Sequence, residues 1–77
     1  PQEAFAAEHL PHFGRRFHLS PRELDVLSLV IAGKDNQNIA SELQLSPSTV
    51  KVHMHNILKK TGCSDRRKLI QEFWKET

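Results

Sequence analysis

Asp35-Asn36-Gln37-Asn38-Ile39-Ala40-Ser41-Glu42-Leu43-Gln44-Leu45-Ser46-Pro47-Ser48-Thr49-Val50-Lys51-Val52-His53-Met54-His55-Asn56-Ile57 decides the fold, because it reads as two helices with almost nothing between them. Asp35 caps a short helix from about Asn36 to Gln44, with Ile39, Ala40 and Leu43 on its inner face. Only Leu45 then separates it from the next cap. Ser46-Pro47-Ser48-Thr49 places a hydroxyl cap before a proline suited to the first helical position, and so opens a longer helix to about Thr61, stopped by Gly62. Such a pair is either a plain helical hairpin or a helix-turn-helix. Side-chain size separates the two. Ala40 lets the helices cross closely, and apolar plugs at Ile39, Leu43, Leu45, Val50 and Ile57 lock their angle. A locked angle lets the second helix stand out far enough to enter a major groove about 12 Å wide.

Upstream, Ser20-Pro21-Arg22-Glu23 carries a capping box with proline at the first helical position. Leu24, Leu27, Val30 and Ile31 follow at helical spacing up to Ala32, and Gly33 suits a left-handed stop. Downstream, Asp65 or Ser64 caps a last helix from about Arg66, with Leu69, Ile70, Phe73 and Trp74 as its apolar face. Residues 1–18 hold two prolines, a glycine and three histidines, with room for a short helix from about Gln2 to His9 before Pro11. They read as a linker or N-terminal arm whose Phe5, Phe13 and Phe17 cover apolar surface of the domain. The predicted fold class is thus all-α: a four-helix domain over residues 19–77 with a central helix-turn-helix, preceded by that short arm.

At 77 residues the chain holds one domain, too small for a large enclosed catalytic cleft. No nucleophile with its base and no pair of carboxylates converges, so no enzyme is expected: Asp35 is a cap, and Asp25 and Glu42 are surface residues. No cofactor is expected either. His53 and His55 point about 200° apart on a helix and cannot share an ion; His9 and His12 can, but only His18 and Cys63 remain to complete a zinc site. Cys63 stands alone, so packed helices rather than a disulfide must supply stability, and a reducing, cytoplasmic setting is the simpler expectation. The longest apolar stretch, Val26 to Ala32, is far short of a membrane span, and the amino terminus lacks the features of a secretory signal. Because the chain begins with proline, it is expected to be a piece of a longer protein.

Charge points the same way as the helix pair. The formal net charge is only +2, but between Ser46 and Lys68 six cations (Lys51, Lys59, Lys60, Arg66, Arg67 and Lys68) face one acid, Asp65, a local excess of +5. Ser46, Ser48 and Thr49 cluster at the start of the third helix, as a phosphate contact requires. Lys51, Val52 and His55 share its outward side, and Lys59 continues it. A structural hairpin would more usually mix acids and bases along that face.

In the runs Leu19-Ser20-Pro21-Arg22-Glu23-Leu24, Gly33-Lys34-Asp35-Asn36-Gln37-Asn38-Ile39-Ala40 and Leu45 to Ile57 followed by Lys60, the sequence resembles the LuxR-type, or GerE-like, helix-turn-helix domain. The resemblance covers about residues 19–70. It implies a DNA-binding output domain of a bacterial transcriptional regulator, with a sensory or receiver domain on its N-terminal side and no membrane contact. Carried over by position, it implies that Lys51, Val52 and His55 contact bases. It implies that Ser48, Thr49, Asn56 and Lys60 contact phosphates of double-stranded DNA, and that His53 touches the backbone or packs. It further implies that the last helix, through Arg67, Ile70, Phe73 and Trp74, pairs two subunits as a homodimer on a palindromic site. Departures from the pattern are His55, where many relatives have a lysine or arginine, Thr61 in place of an apolar residue, and Cys63 in place of a common valine. Two rival readings stand beside it. One is a protein-interaction module displaying Phe5, Phe13, Phe17, Phe73 and Trp74; the other is a sigma-factor-like promoter module.

Overall fold

Ser20 and Glu23 exchange hydrogen bonds at the entry to the first core helix. The Glu23 amide donates to Ser20 Oγ at 3.1 Å and the Ser20 amide donates to Glu23 Oε1 at 2.8 Å, so the expected capping box is complete. The same local chemistry opens the helices that follow. The Asn38 amide donates to Asp35 Oδ1, the Thr49 amide to Ser46 Oγ, and the Lys68 amide to Asp65 Oδ1, which makes Asp65 rather than Ser64 the last cap. The computed structural model describes residues 2–75 and gives five helices in the order α1 (Gln2–Phe17), α2 (Pro21–Ile31), α3 (Asn36–Leu43), α4 (Pro47–Thr61) and α5 (Arg66–Lys75). Among the described residues there is no strand. The chain is all-α, as its pattern predicts.

Left-handed residues end the helices. Gly33 follows α2 at φ +88° and Gly62 closes α4 at φ +74°, both where glycine avoids a Cβ clash. Helix α3 stops one residue earlier than its pattern suggests. Gln44 turns left-handed at φ +56°, and the Leu45 amide reaches back to the Ala40 carbonyl at 2.9 Å. The turn between α3 and α4 is therefore Gln44-Leu45-Ser46, set by folding Leu45 back toward the core.

The N-terminal segment departs most from expectation. Instead of a short helix stopping before Pro11 and an arm beyond it, α1 continues through Pro11 to Phe17. A proline in a helix interior costs about 3 kcal/mol. Burying a phenylalanine returns about 1.5–3 kcal/mol. Phe13 is wholly buried, and Ala6, Leu10 and Phe17 pack partly on the same cluster, so tertiary burial outweighs the break signal. Pro11 itself is exposed, on the side away from the core. At Gly14, α1 lies so close to α2 that a Cβ would stand 2.7 Å from a Leu24 methyl.

One core joins all five helices: Phe13 from α1, Val26, Leu27 and Val30 from α2, Ile39 and Ala40 from α3, Val50, Met54 and Ile57 from α4, and Leu69 and Phe73 from α5. Its α1 end is aromatic. Phe13 meets Phe73 edge-on at 5.4 Å, and Phe5 stacks on Trp74 at 5.7 Å. His9 is buried among these rings, 4.9 Å from Phe73, and its Nε2 has no hydrogen-bond partner among the described residues.

This packing corrects two expectations. Phe73 cannot serve as a subunit contact, because it is wholly buried within its own chain; Ile70 and Trp74 are half-buried and Arg67 is exposed. A protein-interaction surface built from exposed phenylalanines likewise loses Phe13 and Phe73 to the interior. Periodicity identifies the apolar faces of these helices but not what covers them.

Candidate nucleic-acid interface

Helix α4 is held from behind by Val50, Met54 and Ile57, at spacings of four and three residues, with Val50 and Ile57 wholly buried. Ala40 on α3, itself buried, supplies the small residue at the crossing, and Ile39 locks it. Leu43 and Leu45 pack half-buried around them. Met54 was not among the expected plugs, although its place four residues after Val50 and three before Ile57 puts it on the inner stripe.

With that stripe fixed, the opposite side faces solvent. Lys51, Val52, His55 and Lys59 are all exposed, and Val52 keeps 58% of its surface. It is the one large hydrophobic residue so exposed among the described residues. An apolar side chain between two cationic or polar ones suits a base edge bearing a methyl group better than it suits water. At about 100° per residue, Lys51, His55 and Lys59 climb one flank, while Thr49, Asn56 and Lys60 fall on the other.

The amino end of α4 is hydroxyl-rich but partly committed. Ser46 Oγ accepts the Thr49 amide at 3.1 Å and lies 2.9 Å from Thr49 Oγ1, so its first duty is the cap. Ser48 is exposed and Thr49 half-buried. His53 and Asn56 are half-buried, at the edge of the outward face.

Two cations that the sequence assigns to the basic surface are engaged within the fold. Lys60 Nζ lies 2.7 Å from Glu23 Oε1 and donates to the His18 carbonyl at 3.3 Å. Burial alone would raise the Glu23 carboxyl. The hydrogen bond and charge of Lys60, with the Ser20 amide and hydroxyl, hold it below its ordinary value. Arg66, half-buried, donates to Asn36 Oδ1 at 2.8 Å and to the Lys34 carbonyl, tying the start of α5 to the start of α3. Sequence reasoning had no signal for either tie, since the partners lie 37 and 30 residues away.

The remaining clusters carry little chemistry. Among the described residues no three histidine, cysteine or acidic side chains come together to hold a metal ion. Cys63 is half-buried and free. No helix among the described residues is long and apolar enough to cross a membrane.

Comparison with known proteins fits this geometry. A family model described as bacterial regulatory proteins, luxR family, matches residues 18–73. The chain is 35% identical over 63 residues, 82% of its length, to the HTH-type transcriptional regulator MalT of Yersinia pestis (strain Pestoides F). It is equally similar to MalT of Yersinia pseudotuberculosis (serotype O:1b, strain IP 31758). In both cases the chain spans only 7% of the relative's length. No solved structure matches it significantly.

Proposed function

Because this chain belongs to the luxR family of bacterial regulatory proteins and is a DNA-binding regulator of transcription, we propose that α4 enters the major groove and reads sequence there. The observation that carries this reading is the division of α4 itself: Val50, Met54 and Ile57 are buried while Lys51, Val52 and His55 stand exposed together. Lys51 and His55 offer hydrogen bonds to base edges, and Val52 offers an apolar contact. Ser48, Thr49, Asn56 and Lys59, with the Ser46 cap and His53 at the margin, hold the flanking phosphates. Lys60 belongs to that set by position, and its ammonium reaches phosphate only by sharing with Glu23.

The domain is the output end of a longer cytoplasmic regulator, with a sensory or receiver domain on its N-terminal side. Two copies bind a palindromic site with half-sites about 10 base pairs apart. Of the α5 residues suited to pairing them, Arg67, Ile70 and Trp74 are accessible. The test is a mobility-shift titration of the 77-residue chain on duplexes selected from a random pool, repeated across salt concentrations. Log affinity should fall linearly with log salt, and selected duplexes should outcompete random ones. Binding that ignores salt, or no preference for any sequence, overturns the proposal.

A further inference from the structure

The flank of α4 that carries Thr49, Asn56 and Lys60 has a problem of charge. Its lysine is neutralised by a buried carboxylate 2.7 Å away, and an ammonium so paired offers a phosphate little net attraction. Yet a reading helix presents its first turns to the bases. Its last turn, about 13 Å beyond Lys51, then stands at the rim of the groove, where the phosphates run.

The contacts that occupy Lys60 also bring a second element to that rim. Its hydrogen bond to the His18 carbonyl, at 3.3 Å, presses the α1–α2 junction against the end of α4. This junction is basic: Arg15 and Arg16 close α1 and Arg22 follows the Ser20 cap, all three exposed. With Lys59 and Lys60 they make five cations against Glu23 and Asp25. The junction is also set in place. The Leu19 amide bonds the Gly14 carbonyl at 2.9 Å, His18 turns left-handed at φ +58°, and α1 touches α2 at Gly14. A cation on a fixed turn loses less freedom on binding than one on a loose arm.

We infer that the α1–α2 junction is a second phosphate-binding contact, in which Arg15 and Arg22 grip the DNA backbone bordering α4 on its Lys60 side. The inference rests on the DNA-binding reading above and adds to it a surface that begins outside the family match, which starts at residue 18. Arg16 lies over the Phe17 ring at 5.1 Å and is left to that role. Arg22 meets Asp25 at 3.3 Å in a pair about half exposed on both sides, an attraction weak enough for a phosphate to replace.

The experiment measures the salt dependence of duplex affinity for the 77-residue chain and for Arg15→Ala/Arg22→Ala. Removing one phosphate-binding cation should make the slope of log affinity against log salt shallower by about 0.9. The double variant should therefore change by nearly two, weakening selected and random duplexes alike. Arg15→Lys/Arg22→Lys should recover the wild-type slope. Lys75→Ala removes an exposed cation beside Trp74, at the other end of α1, and should leave the slope unchanged. An unaltered slope in the double alanine variant overturns the inference, as does an equal drop in Lys75→Ala. A wild-type chain with no salt dependence removes the underlying reading instead.

Discussion

Helices α1 and α4 are nearly equal in length, at 16 and 15 residues, and both bury one side against the same core. They divide the work differently. The buried side of α1 is aromatic, with Phe13 and His9 set among Phe5, Phe17 and Phe73, and the helix tolerates an internal proline because that burial is large. The buried side of α4 is three aliphatic or thioether side chains, and its other side is left to lysine, valine and histidine in water. The buried side of α1 carries stability, and the exposed side of α4 carries the chemistry proposed above. Substitutions in each should therefore fail in different assays.

The largest expected effect lies in α1. Phe13→Ala should lower unfolding free energy by about 3–5 kcal/mol in urea titration, a large share of what a domain this size possesses. Whatever fraction stays folded should keep its sequence preference. Loss of preference at unchanged stability would erase the contrast. Next comes α4, where Lys51→Ala should cost about 1–3 kcal/mol in duplex binding and relax preference at one position. Its melting midpoint should stay at the wild-type value, because the side chain is exposed.

Lys60 sharpens the comparison, since it stands on the chemical helix and works for stability. Lys60→Ala should destabilise the fold by about 1–3 kcal/mol, toward the lower end because the lysine is 39% exposed, by stripping a partner from buried Glu23. The Glu23 carboxyl is held below its ordinary value, so its contribution is fully present above about pH 4.5 and is lost as pH falls through the folded value. In Lys60→Ala that acid limb should flatten; an identical limb in both proteins would show that Glu23 does not draw on Lys60. The smallest effect belongs to the turn. Gln44→Gly relieves a left-handed glutamine but frees the unfolded chain, leaving a net change of about 0.5 kcal/mol or less in favour of the fold.

What the sequence disclosed follows from the range of the forces involved. Both ends of α2 and α4 and the starts of α3 and α5 were legible because caps, first-turn prolines and glycine stops act over three or four residues. The outward set Lys51, Val52, His55 and Lys59 was legible because helical spacing ties it to Val50 and Ile57. Helix α1 was not, because Pro11 gives a local stop signal and the burial that overrides it comes from α2 and α5. The place of Phe73 inside the chain and the engagement of Lys60 and Arg66 were hidden for the same reason. Composition shows an apolar ring or a cation, and only the folded chain supplies its partner.

Trp74 is the one tryptophan in the chain, and it lies where α1 meets α5, stacked on Phe5 and edge-on to Phe73 at 5.2 Å. Indole emission moves to longer wavelength when water replaces neighbouring rings. The protein thus carries a built-in optical gauge of whether its first helix is seated, readable without any label.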